Sequence, residues 1–240
     1  MSVKLFILGH PGSGKSTAYR HIKELIEQKF KWWSTNRFND YDILYEMFQF
    51  EQRYLYFLKK KQFSKTDHDG FDVRDFTVLD TALKELEKQV RLRCSPSKDE
   101  IIIIEFARDD YKQALKQFSP NFLKDAYFLS IEADIQTCIE RVKKRVMLPQ
   151  SSDDHFVSED ILIKYYGRRS APINFKTDLH VEIDKKRVKT INSRGSLEAF
   201  NTKVEQYIEP IIARENLFPP PQAKIPRPKV LTRLLAYTYR

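Results

Sequence analysis

The stretch Gly9-His10-Pro11-Gly12-Ser13-Gly14-Lys15-Ser16 limits what this chain can fold into more than any other. It fits G-x-x-x-x-G-K-[ST], and its setting fits as well. The apolar run Val3–Leu8 reads as a short buried strand. Residues 15–29 then carry Ala18, Ile22, Leu25 and Ile26, with Phe30 beyond them, at helical spacing. A strand that ends in a glycine-rich turn and opens into a helix makes a phosphate cradle. Gly9, Gly12 and Gly14 let backbone N–H groups close round a polyphosphate, and the new helix aims its N-terminal dipole at the same anion. Lys15 is placed for the β and γ phosphates, the Ser16 hydroxyl for Mg2+, and Thr17 for the α phosphate. His10 and Pro11 read as shape residues of the loop. The expected cofactors are ATP and Mg2+.

Strand and helix patterns alternate along the rest of the chain. A second strand is expected near residues 31–36. Ile43, Met47, Phe50, Tyr54 and Phe57 recur at steps of four and three, which marks a long helix. Residues 59–70 are polar and read as a loop. Thr77 is placed to cap a helix carrying Leu79, Leu83, Leu86 and Val90. Ile101–Phe106 is the clearest buried strand and Ala126–Ile131 another, followed by a helix with Ile135, Ile139 and Val142. Two β-like stretches cover 179–183 and 188–191, and Ser196 caps a last helix to about Ile208. Such alternation predicts an α/β fold with a mostly parallel sheet covered by helices.

Composition removes several function classes. At 240 residues, with 41% hydrophobic and 31% charged residues, the chain suits one large domain with attachments. No apolar run nears the roughly 20 residues of a membrane span, and Val3–Leu8 is too short for a secretory signal. Cys94 and Cys138 alone make no disulfide framework, so a cytoplasmic setting is expected. Of the net charge of +9, five units belong to the tail at residues 219–240, which leaves +4 for the body. A nucleic-acid partner is therefore not favoured over phosphate ligands. Pro219-Pro220-Pro221, Pro226 and Pro228 make that tail extended.

Further motifs carry a resemblance. Phe38-Asn39-Asp40-Tyr41-Asp42 is similar to the Asp-x-Asp element after the second strand of shikimate-kinase-like small kinases. The resemblance implies Asp40 beside the metal and Asp42 as the group that orients or deprotonates the acceptor hydroxyl. An Asx turn capping the helix at Ile43 explains the same residues. Glu105 ends its strand where the Walker-B acid sits, although the family usually has Asp there. Arg108 resembles the Arg with which nucleotide kinases hold the acceptor's phosphate; an exposed pair with Glu105 is the plain alternative. The helix at Cys138–Arg145 resembles the R-x-x-x-R segment leading into the lid of nucleoside and nucleotide kinases. It implies Arg141 against adenine and Arg145 on the transferred phosphoryl group, the two being one helical turn apart. A solvated basic face would look the same. Asp153-Asp154-His155 resembles an acidic lid segment. Ile191–Glu198 resembles the last strand-to-helix turn of dephospho-CoA-kinase-like and adenylate-kinase-like proteins, whose backbone reads the adenine. Asn192 and Gly195 would form that turn.

Together these features resemble a small P-loop kinase. The implied fold is a three-layer P-loop NTPase with a mostly parallel five-stranded sheet, a helical acceptor-binding insertion and a lid. The kinase domain would span 1–218, with the acceptor region at 40–97, the lid at 147–166 and the basic tail at 219–240. Within the acceptor region Arg53 and Arg74 are candidate acceptor ligands; the aromatics Tyr41, Tyr45, Phe48 and Phe50 read as core packing or as a stacking surface. The implied reaction moves the γ-phosphoryl group of Mg·ATP to a small metabolite, with a nucleoside or nucleotide preferred. Lys15, Mg2+, Glu105 and Arg145 would stabilise it, and Asp42 would handle the acceptor. Two alternatives stand beside it: a polynucleotide 5′-kinase gripping its substrate with the tail, and a regulatory or chaperone-like ATPase with no small acceptor. A homodimer is left open, since Val230, Leu231, Leu234 and Leu235 suit either the body or a second subunit.

Overall fold

A computed structural model describes residues 2–55, 57, 59–67, 70–94, 99–147, 155–167 and 183–215. In chain order its elements are β1 (Ser2–Leu8), α1 (Lys15–Lys29), β2 (Ser34–Asn39), α2 (Asp40–Tyr54), β3 (Phe63–Lys65), β4 (Phe71–Val73) and α3 (Thr77–Arg93). There follow β5 (Glu100–Phe106), α4 (Tyr111–Leu115), α5 (Pro120–Leu123), β6 (Tyr127–Glu132), α6 (Ile135–Met147), α7 (Glu159–Ile161), β7 (Val188–Asn192) and α8 (Leu197–Glu215). A π-helical turn at Leu162–Tyr166 continues α7.

The main sheet has the order β2-β5-β1-β6-β7. Every pairing is parallel, from Ser2↔Glu100 to Leu8↔Phe106 at its centre and Phe128↔Val188 to Glu132↔Asn192 at its edge. Parallel pairing puts helices over both faces, so the central strands are buried on both sides. All seven residues of β5 are buried accordingly. Strand alternation splits its side chains between two cores. Phe6, Leu8, Ile102, Ile104 and Phe106 face the core built with α2 and α3. Leu5, Ile7, Ile101 and Ile103 face the core built with α1 and α8. The carboxyl ends of β1, β5, β6 and β7 thus converge on one rim, the place where open α/β sheets bind ligands.

Several expectations need correction. The second strand begins at Ser34, not near 31, because Trp33 turns back on Phe30 (N–H to carbonyl, 2.8 Å) and buries its ring. The buried face of α2 runs through Ile43, Leu44, Phe48 and Glu51, whereas Phe50, Tyr54 and Phe57 are exposed. Residues 59–70 are not merely a loop. They hold β3, which pairs antiparallel with β4 because Phe63 and Phe71 both enter the core. The Glu51 carboxylate accepts from the N–H groups of Gln62 and Phe63 to fix that hairpin. Thr77 is the first residue of α3 and not its cap: the N-cap position falls on Phe76, which gives no side-chain cap, and Asp75 before it accepts through Oδ1 from both the N–H and the hydroxyl of Thr77. Ser196 does cap α8, its Oγ accepting from the Ala199 N–H. That helix runs past Ile208 and through Pro210, since Ile211 and Ile212 extend its buried face. The tail at 219–240, Asp153, Asp154 and the stretch 179–182 lie outside the described residues.

Candidate functional site

Between β1 and α1 the backbone takes three positive-φ steps, at Gly9 (φ +154°), Gly12 (φ +80°) and Gly14 (φ +112°). A Cβ on Gly12 would stand 2.5 Å from the carbonyl oxygen of Cys138. The loop therefore packs directly on the first turn of α6, and only glycine allows it. The N–H of Gly9 donates to the Tyr111 hydroxyl at 2.6 Å, tying the loop to α4. Burial pushes that hydroxyl's pKa up.

Lys15 is 8% exposed. Its ammonium donates to the carbonyls of Gly9 (2.9 Å) and His10 (3.2 Å) and lies 4.0 Å from Glu105 Oε1. Burial lowers its pKa, while Glu105 and Asp40 oppose the shift. Glu105, on β5, also accepts from Arg37 of β2 through Nε (3.0 Å) and Nη2 (2.6 Å). The same Nη2 lies 3.5 Å from the Ser16 hydroxyl.

Asp40 and Arg108 form a buried ion pair. Arg108 further donates to the carbonyls of Ala107 (2.6 Å) and Leu79 (2.8 Å). Arg108 thus turns inward to Asp40, and the exposed pair with Glu105 does not form. Asp42 is exposed. Its N–H donates to Asn39 Oδ1 and its carboxylate accepts from Asn39 Nδ2, both at 2.8 Å. This is the Asx cap of α2.

Arg141 donates to the carbonyls of Gly12 and Ser13 (3.3 Å each), and to the hydroxyl and carbonyl of Ser193 (2.9 Å each). It joins the loop to the turn after β7. Arg145 donates to the His155 carbonyl at 2.8 Å. In the β7–α8 turn, Asn192 Oδ1 accepts from the Arg194 N–H, and Gly195 takes φ +99° over open space.

Several of these side chains border a cleft of about 390 Å3. Lys15, Arg20, Arg37, Arg141 and Arg145 line it, against the carboxylates of Asp40 and Glu105. Pro11, Gly12, Gly14, Ser16, Thr17 and Gly195 also line it. A second cavity of about 100 Å3 adjoins it. Leu44, Phe71, Phe76, Tyr165 and Tyr166 wall this one, and Arg108 reaches it. The two share Pro11, Asp40, Tyr41, Ala107 and His155. The rings of Tyr41 and His155 stack at 3.6 Å. Asp42, Arg53 and Arg74 line neither cavity, and both arginines are exposed.

No family model matches the sequence, and no curated protein does. Solved structures do match the fold. Kti12 of Chaetomium thermophilum, crystallised with ADP-AlF3, superposes with a TM-score of 0.55 at 14% identity, covering 87% of this chain and 98% of that one. The chain shares that protein's fold, an α/β layout built on a parallel five-stranded sheet. A gluconokinase from Sinorhizobium meliloti (TM-score 0.48, 14% identity) covers 90% of this chain and 96% of its own. A shikimate kinase from Acinetobacter baumannii in complex with shikimate (TM-score 0.43, 12% identity) covers the same shares.

The oxygen donors around the P-loop suit a hard cation such as Mg2+. Ser16 and Glu105 both line the cleft, but Arg37 donates twice to Glu105 and lies 3.5 Å from the Ser16 hydroxyl, so a cation could take that place only by displacing it. Asp40 lines it too, but its carboxylate is held by Arg108. Among the described residues no group of three His, Cys, Asp or Glu side chains could hold a metal by itself. Oxygens of a bound phosphate would have to complete the shell. Among the described residues no helix is long and apolar enough to cross a membrane.

Sequence reasoning missed Arg37, Tyr111 and Ser193. Arg37 carried one signal, a lone arginine inside the strand Ser34–Asn39. Its meaning depends on β2 lying beside β5, which sets Asn39 opposite Glu105 and Arg37 two residues behind.

Proposed function

We propose that this chain is an ATP-dependent kinase that phosphorylates a hydroxyl of a small, unphosphorylated acceptor of the nucleoside class. The adjacency of the two cavities carries this reading. The cationic cleft at the P-loop suits a triphosphate, and the aromatic cavity across Tyr41 and His155 suits the acceptor. Kti12 was crystallised with ADP-AlF3, so a fold of this kind accommodates a nucleotide. Among the described residues Arg108 is the one lysine or arginine lining the second cavity, and Asp40 neutralises it. A phosphate on the acceptor would meet no net positive charge there, which favours a nucleoside over a nucleotide.

Catalysis would rest on position and charge. Lys15 would leave the Gly9 and His10 carbonyls for the β and γ phosphates. The incoming negative charge would raise its pKa again and keep it an ammonium. Neutralising charge on the phosphates would come from the cations that line the cleft, Lys15, Arg37 and Arg145. Arg145 would draw the segment at His155 over the cleft and exclude water. Asp40 lines both cavities and Asp42 neither, so we assign the orienting of the acceptor hydroxyl to Asp40.

A second reading, a nucleotide hydrolase with no small acceptor, draws on Asp42 being committed to its cap and Asp40 to Arg108. ADP release from Mg·ATP separates the two. The assay would use nucleosides, nucleotides, small hydroxy acids and 5′-hydroxyl oligonucleotides, with Lys15→Ala and Asp42→Ala beside the wild type. The kinase reading expects stimulation by a nucleoside, lost in Lys15→Ala and kept in Asp42→Ala. Turnover indifferent to every acceptor, yet lost in Lys15→Ala, would replace it with the hydrolase. Stimulation by oligonucleotides alone would move the acceptor to a nucleic-acid 5′ end.

A further inference from the structure

One guanidinium holds both groups that face the metal side of the P-loop. Arg37 donates twice to Glu105 Oε2, and its Nη2 lies 3.5 Å from Ser16 Oγ. Its cationic plane sits 4.6 Å from the centre of the Tyr19 ring. The side chain is only 15% exposed, so it is anchored by a carboxylate, held against an aromatic ring and largely withdrawn from water. The neighbouring charges reinforce this arrangement. Lys15 approaches the other oxygen of Glu105, and Asp40 is taken by Arg108. A divalent ion entering this corner would have to compete with Arg37 for Glu105 and Ser16.

We propose that Arg37 is a resident cation that stands in for the divalent metal, so that this chain binds nucleotide without requiring Mg2+. The inference rests on the cleft taking a nucleotide, as proposed above. A guanidinium suits the task because it offers several N–H donors in one plane, so it can keep Glu105 while turning others to phosphate oxygens. Mg2+ then binds weakly, because each ion must displace a desolvated, hydrogen-bonded cation.

Direct titration of ATP and ADP tests this, by calorimetry or with a fluorescent nucleotide, in EDTA and in saturating Mg2+. The variants are Arg37→Met, Arg37→Lys and Arg20→Met, with thermal melts to check folding. Arg20 lines the same cleft and is exposed, so it controls for general charge. The wild type should bind comparably in both media. Arg37→Met should lose roughly ten- to hundredfold affinity in EDTA, the worth of a charge-assisted hydrogen bond. It should lose much less in Mg2+, and the Mg2+ concentration for half-saturation should fall. Arg37→Lys, which keeps the charge but not the planar fork, should fall between and serves if the Met variant does not fold. Wild-type binding that appears only with Mg2+ would overturn the proposal and leave the nucleotide reading intact. Equal losses in Arg37→Met and Arg20→Met in both media would reduce Arg37 to one charge among several and overturn it too. No nucleotide binding in either medium would remove both proposals.

Discussion

Arg108→Met removes one half of the buried ion pair and keeps most of the side-chain volume. Arg108 is 4% exposed and Asp40 7%, so the carboxylate left behind cannot simply hydrate. The Leu79 carbonyl loses its Arg108 donor as well. Breaking a buried pair from one side costs about 3–5 kcal/mol. For a chain of this size each kcal/mol is worth about 2–4 °C, so the melting temperature should fall by roughly 6–20 °C. Asp40→Asn in the same background removes the stranded charge, and the double variant should recover about 2–3 kcal/mol relative to the sum of the single changes. Urea and thermal unfolding followed by circular dichroism give all four corners of the cycle. A cost below about 1 kcal/mol for Arg108→Met, typical of a surface pair, would refute the reasoning. So would an additive double variant. If Arg108 instead served an acceptor phosphate, Arg108→Met would raise KM for that acceptor and leave the melt unchanged.

Gly12→Ala must place a methyl 2.5 Å from the Cys138 carbonyl at φ +80°, so it should destabilise the fold by about 1–3 kcal/mol and weaken nucleotide binding, read by melts and titration. Tyr111→Phe takes the acceptor from the Gly9 N–H; unfolding in urea should show a loss of about 1–3 kcal/mol, and no change would mean that water replaces the hydroxyl. His10 has its pKa lowered, chiefly by burial and then by Lys15. The unfolded chain thus holds the proton more tightly, and stability should rise as pH climbs from the depressed pKa to 6.5, the ordinary value. His10→Gln should flatten that rise, as melts across the acid range will show.

What the sequence made legible depended on how local each signal was. The P-loop announces itself because apolar strand, glycine spacing and helix pattern are contiguous between Val3 and Lys29. Strand β5 was plain because Ile101–Ile104 is an unbroken aliphatic run, as strands buried on both faces require. The phase of α2 was not plain. Two sets of apolar residues share helical spacing, and only packing against the sheet selects Leu44 and Phe48 over Phe50 and Tyr54. The β3–β4 hairpin was hidden because its strands are three residues long and buried mainly through Phe63 and Phe71. In the site, the limit was partner choice. Glu105 pairs with an arginine 68 residues earlier in the chain and Arg108 with an aspartate equally distant. Neither pairing can be read before the order β2-β5-β1 is known.

Arg141 has a kinetic consequence. By gripping the carbonyls of Gly12 and Ser13, and Ser193 across the rim, it holds the P-loop backbone before any ligand arrives. A nucleotide then meets a loop already held in place, and little backbone freedom remains to be lost. Association should follow a single exponential whose rate rises linearly with nucleotide concentration, with no slow isomerisation behind it. Loosening that grip would shift the burden to the encounter itself: the loop would have to order around each ligand, and the on-rate would saturate.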